Sequence, residues 1–230
     1  QQCRPLPDDK NEEEKVKRAL TLALVLGVLV GFASLATAGS VKISVNQFVE
    51  HPALDAVRDG IKDSVKESGI DAEFKVYNAQ ANPATANQIA KQMVGEKSDL
   101  IVAIATPSAQ ACYSALDKAP EKLKRPFVFS AITDPVSAGL VKDLNNPGGA
   151  VTGVSDLLPV KKHLEMILEF KPGTKKIGVL YNAGEANSKA TVETLKTFEK
   201  QMGVKIIDAT ASKTAEVYQA AKCLVGRVDA

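Results

Sequence analysis

Residues Leu100–Ala105 read LIVAIA, six apolar residues in a row with no charge and no turn former. A strand with one wet face alternates apolar and polar side chains. An unbroken apolar run suits a strand covered on both faces, as in the middle of a parallel sheet. Parallel strands need long, usually helical, crossovers, so this one segment predicts helices on either side of it. The chain supplies them. A short strand, Val41–Val45, precedes a helix over Pro52–Ser68, where Ala53, Ala56, Val57, Gly60, Ile61 and Val65 recur at helical spacing and Gly69 closes the element. Ala72–Tyr77 reads as the next strand. Asn82-Pro83 opens a helix with Ala86, Ile89, Ala90, Met93 and Val94 on one face, and beyond LIVAIA a helix from Ser108 to about Lys118 leads to a strand at Pro126–Ser130.

The rhythm loosens after Asp134-Pro135, with a turn cluster at Asn145-Asn146-Pro147-Gly148-Gly149 and a short strand at Ala150–Val154. It then restarts: helix Pro159–Phe170, breaker Pro172-Gly173, strand Lys176–Tyr181, loop Asn182–Ser188, helix Lys189–Met202, strand Val204–Ala209 and helix Ala215–Leu224. Alternating strands and helices predict an α/β fold with parallel sheets and right-handed crossovers. The restart predicts two similar lobes, residues 39–157 and residues 158–230. Gly226–Ala230 reads as a turn entering another strand, so the second lobe is expected to be truncated.

Residues 1–38 stand apart. Ala19–Ala33 carries no charge, follows Lys17-Arg18 and precedes Ala36-Thr37-Ala38, the order of a secretory signal peptide with its cleavage site. It is shorter than the ~20 apolar residues of a membrane span. The mature chain is expected to begin at Gly39, with no lipid-anchor cysteine after the site. Upstream, Glu12-Glu13-Glu14 matches a purine-rich ribosome-binding site read through, with Val16 as a GTG start; a genuine acidic extension is the other reading.

Charge sharpens the functional field. The net charge is only +2, from 29 basic and 27 acidic residues, without the clustered basic excess of a nucleic-acid surface. No P-loop, no G-x-G-x-x-G, no H-E-x-x-H and no G-x-S-x-G occurs, so no cofactor, metal or hydrolase centre is expected. Cys112 and Cys223 fall in different lobes and read as small buried hydrophobes rather than a bridge.

In open parallel sheets ligands bind beyond the carboxyl ends of the strands. Those ends here lead into Asn46–Pro52, Asn78-Ala79-Gln80, Thr106–Gln110, Ser130–Pro135 and Tyr181–Ser188, all rich in hydrogen-bonding side chains. Ser108 is placed at a helix N-cap, where free N–H groups favour an anion. Thr106 and Ser108 either hold a carboxylate or simply cap the helix. Asp134 and Asp156 are candidate partners for an ammonium, against a turn-forming and a solvated aspartate. Phe48 either covers an apolar ligand group or belongs to the core. His51 reads as a ligand contact or a loop bond, not as a base.

Several of these segments together, VNQFVEHPALDAVRDGIKD (Val45–Asp63), AIATPSAQ (Ala103–Gln110), SAITDP (Ser130–Pro135), VTGVSD (Val151–Asp156) and GVLYNAGEANS (Gly178–Ser188), resemble the tryptophan/tyrosine-type substrate-binding proteins of ABC transporters. The resemblance implies the two-lobed periplasmic-binding-protein fold of the first type, a hinge and no enzymatic activity. It implies an exported, periplasmic or extracytoplasmic monomer that captures a small molecule, an aromatic or apolar amino acid, and hands it to a membrane permease. Gln47, Phe48, His51, Asn78, Thr106, Ser108, Thr133 and Asp134 would then act from the first lobe. Asn182, Glu185, Asn187 and Ser188 would act from the second, with Asp156 at the hinge. A ligand-sensing domain feeding a receptor and a secreted α/β enzyme are the rival readings.

Overall fold

The computed structural model describes Ser40–Ala230; the leader and the signal-peptide expectation lie outside the described residues. Five strands, β1 (Val41–Gln47), β2 (Ala72–Asn78), β3 (Leu100–Ile104), β4 (Phe127–Ile132) and β5 (Val151–Ser155), form one parallel sheet in the order β2-β1-β3-β4-β5. The LIVAIA strand is central, as its composition requires, and Ile101–Ile104 are all buried.

Helix α1 (Pro52–Glu67) covers one face. Its Leu54, Val57, Ile61 and Val65 pack on Ile43, Val45, Val102 and Ile104. Helices α2 (Pro83–Gly95) and α3 (Thr106–Asp117) cover the other face, and α2 buries the five residues its periodicity marks. Burial of such aliphatic side chains contributes roughly 1.5–3 kcal/mol each. β4 and β5 approach so closely that a Cβ on Gly153 would collide with the Phe129 carbonyl oxygen.

A second, two-stranded parallel sheet pairs β6 (Lys176–Tyr181) with β7 (Lys205–Thr210). Around it run α4 (Val160–Phe170), α5 (Ala186–Thr197), the single turn α6 (Glu199–Met202) and α7 (Thr214–Lys222). Leu164, Ile177, Val204 and Ile206 form its core. The helix expected from Lys189 begins three residues earlier and breaks at Phe198, where the chain turns into α6.

Both sheets begin in the same way. Asp99, just before β3, donates its N–H to the Lys42 carbonyl and accepts the Lys42 N–H on its carboxylate, both at 2.8 Å. Asp229 does the same to Lys176, again at 2.8 Å, and also takes the Lys175 N–H. These N–H bonds hold the Asp229 carboxyl below its ordinary range. The last residues thus run beside β6 on the side away from β7, repeating the order β2-β1-β3 of the first sheet.

Candidate functional site

Register lines up the carboxyl ends of the first sheet. Asn78, Gln47, Ile104 and Ser130 lie side by side across four strands. Beyond this row the backbone is strained. Gln80 and Ala81 after β2, Ala105 after β3 and Ala131 within β4 all have positive φ without being glycine. Such conformations persist only where surrounding structure enforces them, and they gather at functional sites. β4 also shifts register between Phe129 and Ile132.

The three helices leaving this edge open differently. His51 Nδ1 caps α1 by accepting from Ala53 N at 3.2 Å, and Asn82 caps α2 by accepting from Ala84 N at 2.8 Å and Thr85 N at 3.2 Å. Helix α3 has no side-chain cap. It starts at Thr106, two residues before the expected opening, so its N-cap is Ala105, with φ 76° and ψ 151°, and Ser108 is its third residue. Among the described residues nothing accepts from the N–H of Thr106 or of Ser108. Pro107 has no N–H to offer. The opening therefore presents unpaired donors and the positive end of the helix dipole.

The placement of Ser108 corrects its expected part. It is fully buried, and its hydroxyl donates to Asn46 Oδ1 at 3.1 Å. Its single hydroxyl proton points inward, so an anion here meets the Ser108 N–H. Thr106 is buried beside it.

The remaining candidates sort by what already holds them. Gln47 is buried within β1. Its amide donates to Val49 O and Asp55 Oδ1 at 2.8 and 2.7 Å, and its oxygen takes Arg58 at 3.4 Å. Phe48 lies in the core among Ala79 and its neighbours. Asn78 is exposed and closes its own turn through Gln80 N. Asp134 accepts from Val136 N, Ser137 N and the Ser137 hydroxyl. Burial pulls its pKa up, but these bonds outweigh burial and hold it below the ordinary value. Thr133 is half-buried and its carbonyl takes the Ser155 hydroxyl at 3.0 Å; Asp156 follows β5, exposed, with its N–H on Ile132 O.

From the second sheet, Asn182 Oδ1 accepts from Gly184 N at 2.9 Å and its amide donates to Glu185 Oε1 at 2.9 Å, fixing the loop ahead of α5. Helix α5 also opens without a side-chain cap, at Glu185. Asn187, its second residue, carries an enclosed side-chain oxygen, Oδ1, with no hydrogen-bond partner. Ser188 follows it, half-buried. Helices α3 and α5 are in contact. The first lobe thus carries unpaired donors at the α3 opening, and the second an enclosed, unsatisfied acceptor. No group of three His, Cys, Asp or Glu able to hold a metal ion occurs among the described residues.

A family model described as ABC transporter substrate binding protein matches residues 42–230. A tyrosine-binding protein of Clostridioides difficile is 41% identical over 191 residues, covering 81% of this chain and 54% of that protein. A solved structure from Streptococcus pneumonia, an ABC domain in complex with L-Trp, is 37% identical with a TM-score of 0.76, over 83% of this chain and 64% of that one. The ligand-free, open structure of a Clostridium difficile substrate-binding protein with adhesive properties is 40% identical, yet its TM-score is 0.58, over 82% and 63%. The chain thus spans about half the length of the curated relative and under two thirds of these structures.

Proposed function

The chain belongs to the ABC transporter substrate-binding protein family, and from that premise we propose that it forms much of an extracytoplasmic receptor that captures an aromatic or apolar amino acid between two lobes and delivers it to a membrane permease. The observation that carries the ligand class is the pair of unmet groups facing opposite needs. The α3 opening offers N–H donors to a carboxylate, and Asn187 Oδ1 offers an acceptor to an ammonium. A free α-amino acid satisfies both with charged groups; a simple anion satisfies one at most, and a sugar meets them only with neutral hydroxyls, in weaker bonds.

Charge-assisted bonds of this kind contribute about 1.5–3 kcal/mol each where water is excluded. Ligand contacts made from both lobes are available only when the lobes approach, so binding favours the closed form by mass action. The chain superposes better on the L-Trp complex than on the ligand-free, open relative, although identity to the open one is slightly higher. The family's members bind rather than convert their ligands, and the residues gathered at this edge make no nucleophile–base pair among those described. The hinge lies at Ser155–Pro159 in this reading, between β5 and α4, with Asp156 on it.

Titration calorimetry with L-tryptophan, L-tyrosine and their amides tests the proposal. Binding of the free amino acids at least about tenfold tighter than of the amides is expected. Equal affinity for acid and amide, or a preference for sugars, would sink the ligand assignment.

A further inference from the structure

Asn46 itself lies out of a ligand's reach. It is the sixth residue of β1, fully buried, beneath the helices rather than at the cleft. We propose that Asn46 is a positioning residue for the α3 opening, holding that helix at the depth and rotation at which the Thr106 and Ser108 N–H groups meet a ligand carboxylate. The inference rests on the functional reading above.

The bonding pattern carries it. Asn46 Nδ2 donates to the Ala86 carbonyl of α2 at 3.1 Å and to Cys112 Sγ at 3.5 Å, while Oδ1 accepts the Ser108 hydroxyl at 3.1 Å. Ser108 and Cys112 are four residues apart, one above the other on the same face of α3. One amide, rooted in a central strand, therefore grips two successive turns of α3 and the first turn of α2. Asn46 and its three partners are all buried: Asn46, Ala86 and Ser108 completely, Cys112 at 1% exposure. Burial pushes the Cys112 thiol up to about 12, so it stays protonated and unreactive.

An apolar residue would fill the same space with no bonds to satisfy. What an asparagine adds is direction, because its three bonds fix one rotation of the helix about its axis. That rotation matters at the helix opening, where Ala105 sits in a conformation that surrounding structure must enforce. The first bond inside α3 joins the Ala109 N–H to the Ala105 carbonyl at 3.0 Å. Ser108 lies one residue before Ala109, so the grip acts directly on the strained turn.

The test uses the 230-residue chain, with L-tryptophan and L-tryptophanamide as probes. Affinities come from calorimetry, and the Thr106 and Ser108 amide signals are followed by NMR. Asn46→Ala is expected to weaken L-tryptophan binding about tenfold and the amide less than about twofold, because the charged carboxylate gains far more from the aligned donors than the neutral amide carbonyl does. Cys112→Ala removes one of the three grips well away from the cleft. It is expected to lower the acid-to-amide preference by about two- to threefold, and it decides the matter if Asn46→Ala does not fold. A purely structural Asn46 would weaken both probes alike. An acid-to-amide preference that stays at the parent value in the folded variants overturns the inference and leaves the functional reading intact. A parent chain that prefers neither probe, with Thr106 and Ser108 signals unmoved, overturns both.

Discussion

Ala105→Gly is expected to stabilise the protein, against the usual direction of that substitution. At φ 76° and ψ 151°, Ala105 occupies a region essentially reserved for glycine, at a cost of roughly 1–3 kcal/mol. Glycine removes that cost. It also frees the unfolded chain, which returns roughly 0.4–1 kcal/mol. The lost methyl group is half-buried against the main core, worth about half of the ~0.8 kcal/mol of a fully buried carbon. The net is a gain of about 1 kcal/mol, a rise in melting temperature of about 2–4 °C for a chain of this size. Urea unfolding at neutral pH, with a thermal scan beside it, measures the change. Ala103→Gly, two residues earlier in β3 and fully buried without strain, provides the contrast and should lose about 1 kcal/mol or more. If the two variants lose stability alike, Ala105 stores no strain and the account of the α3 opening fails. Ligand affinity should fall in Ala105→Gly even as stability rises, because a looser turn must be ordered on binding.

The Glu96 carboxylate accepts from Lys75 Nζ at 2.8 Å, the Tyr77 hydroxyl at 2.6 Å and Gln92 at 2.7 Å, and the Lys75 bond leads in holding its pKa down to about 2. A depressed carboxyl stabilises the fold above its unfolded value of 4.5 and loses that stability as pH falls toward 2. After discounting for solvent around a side chain 26% exposed, about 1 kcal/mol is at stake. Acid titration of stability should therefore be shallower between those values in Glu96→Gln than in the parent; superimposable curves would refute the assignment. Gly153→Ala should cost at least ~2 kcal/mol, since its Cβ would meet the Phe129 carbonyl oxygen, which cannot swing away, as well as the Phe129 ring, and a neutral effect in a denaturant melt would show that β4 and β5 are not so close.

Periodicity carried the fold because burial decides it. The α2 stripe at Ala86, Ile89, Ala90, Met93 and Val94 was legible as a spacing and is buried as one. The ends of elements were less legible. Asn46 and Gln47 read as loop because they are polar, yet they complete β1, since a strand interior tolerates an amide whose bonds are met. Thr106-Pro107-Ser108 suggested a cap at Ser108; the cap falls on Ala105 because tertiary contacts force an alanine into a glycine's conformation, and no composition rule signals that. Asn46 went unnoticed as a contributor for the same reason: its partners lie 40 to 66 residues away in the chain. Asn182 and Asn187 were visible as polar loop residues, but only the fold distinguishes the satisfied amide from the one with an orphaned oxygen.

The matched aspartate clamps on Lys42 and Lys176 set the two lobes in common register, and the register exposes a lopsided inheritance. Four residues beyond each clamped lysine stand Asn46 in β1 and Leu180 in β6. The same architectural unit was written twice, but only one copy carries a polar pin at that rung. The second copy is left with an aliphatic side chain, which packs without dictating direction. The two sheets therefore start from the same backbone clamp and differ in chemistry. On the proposed reading that inequality would orient an amino acid between them: its carboxylate would turn toward the copy that can aim donors, and its ammonium toward Asn187 of the other.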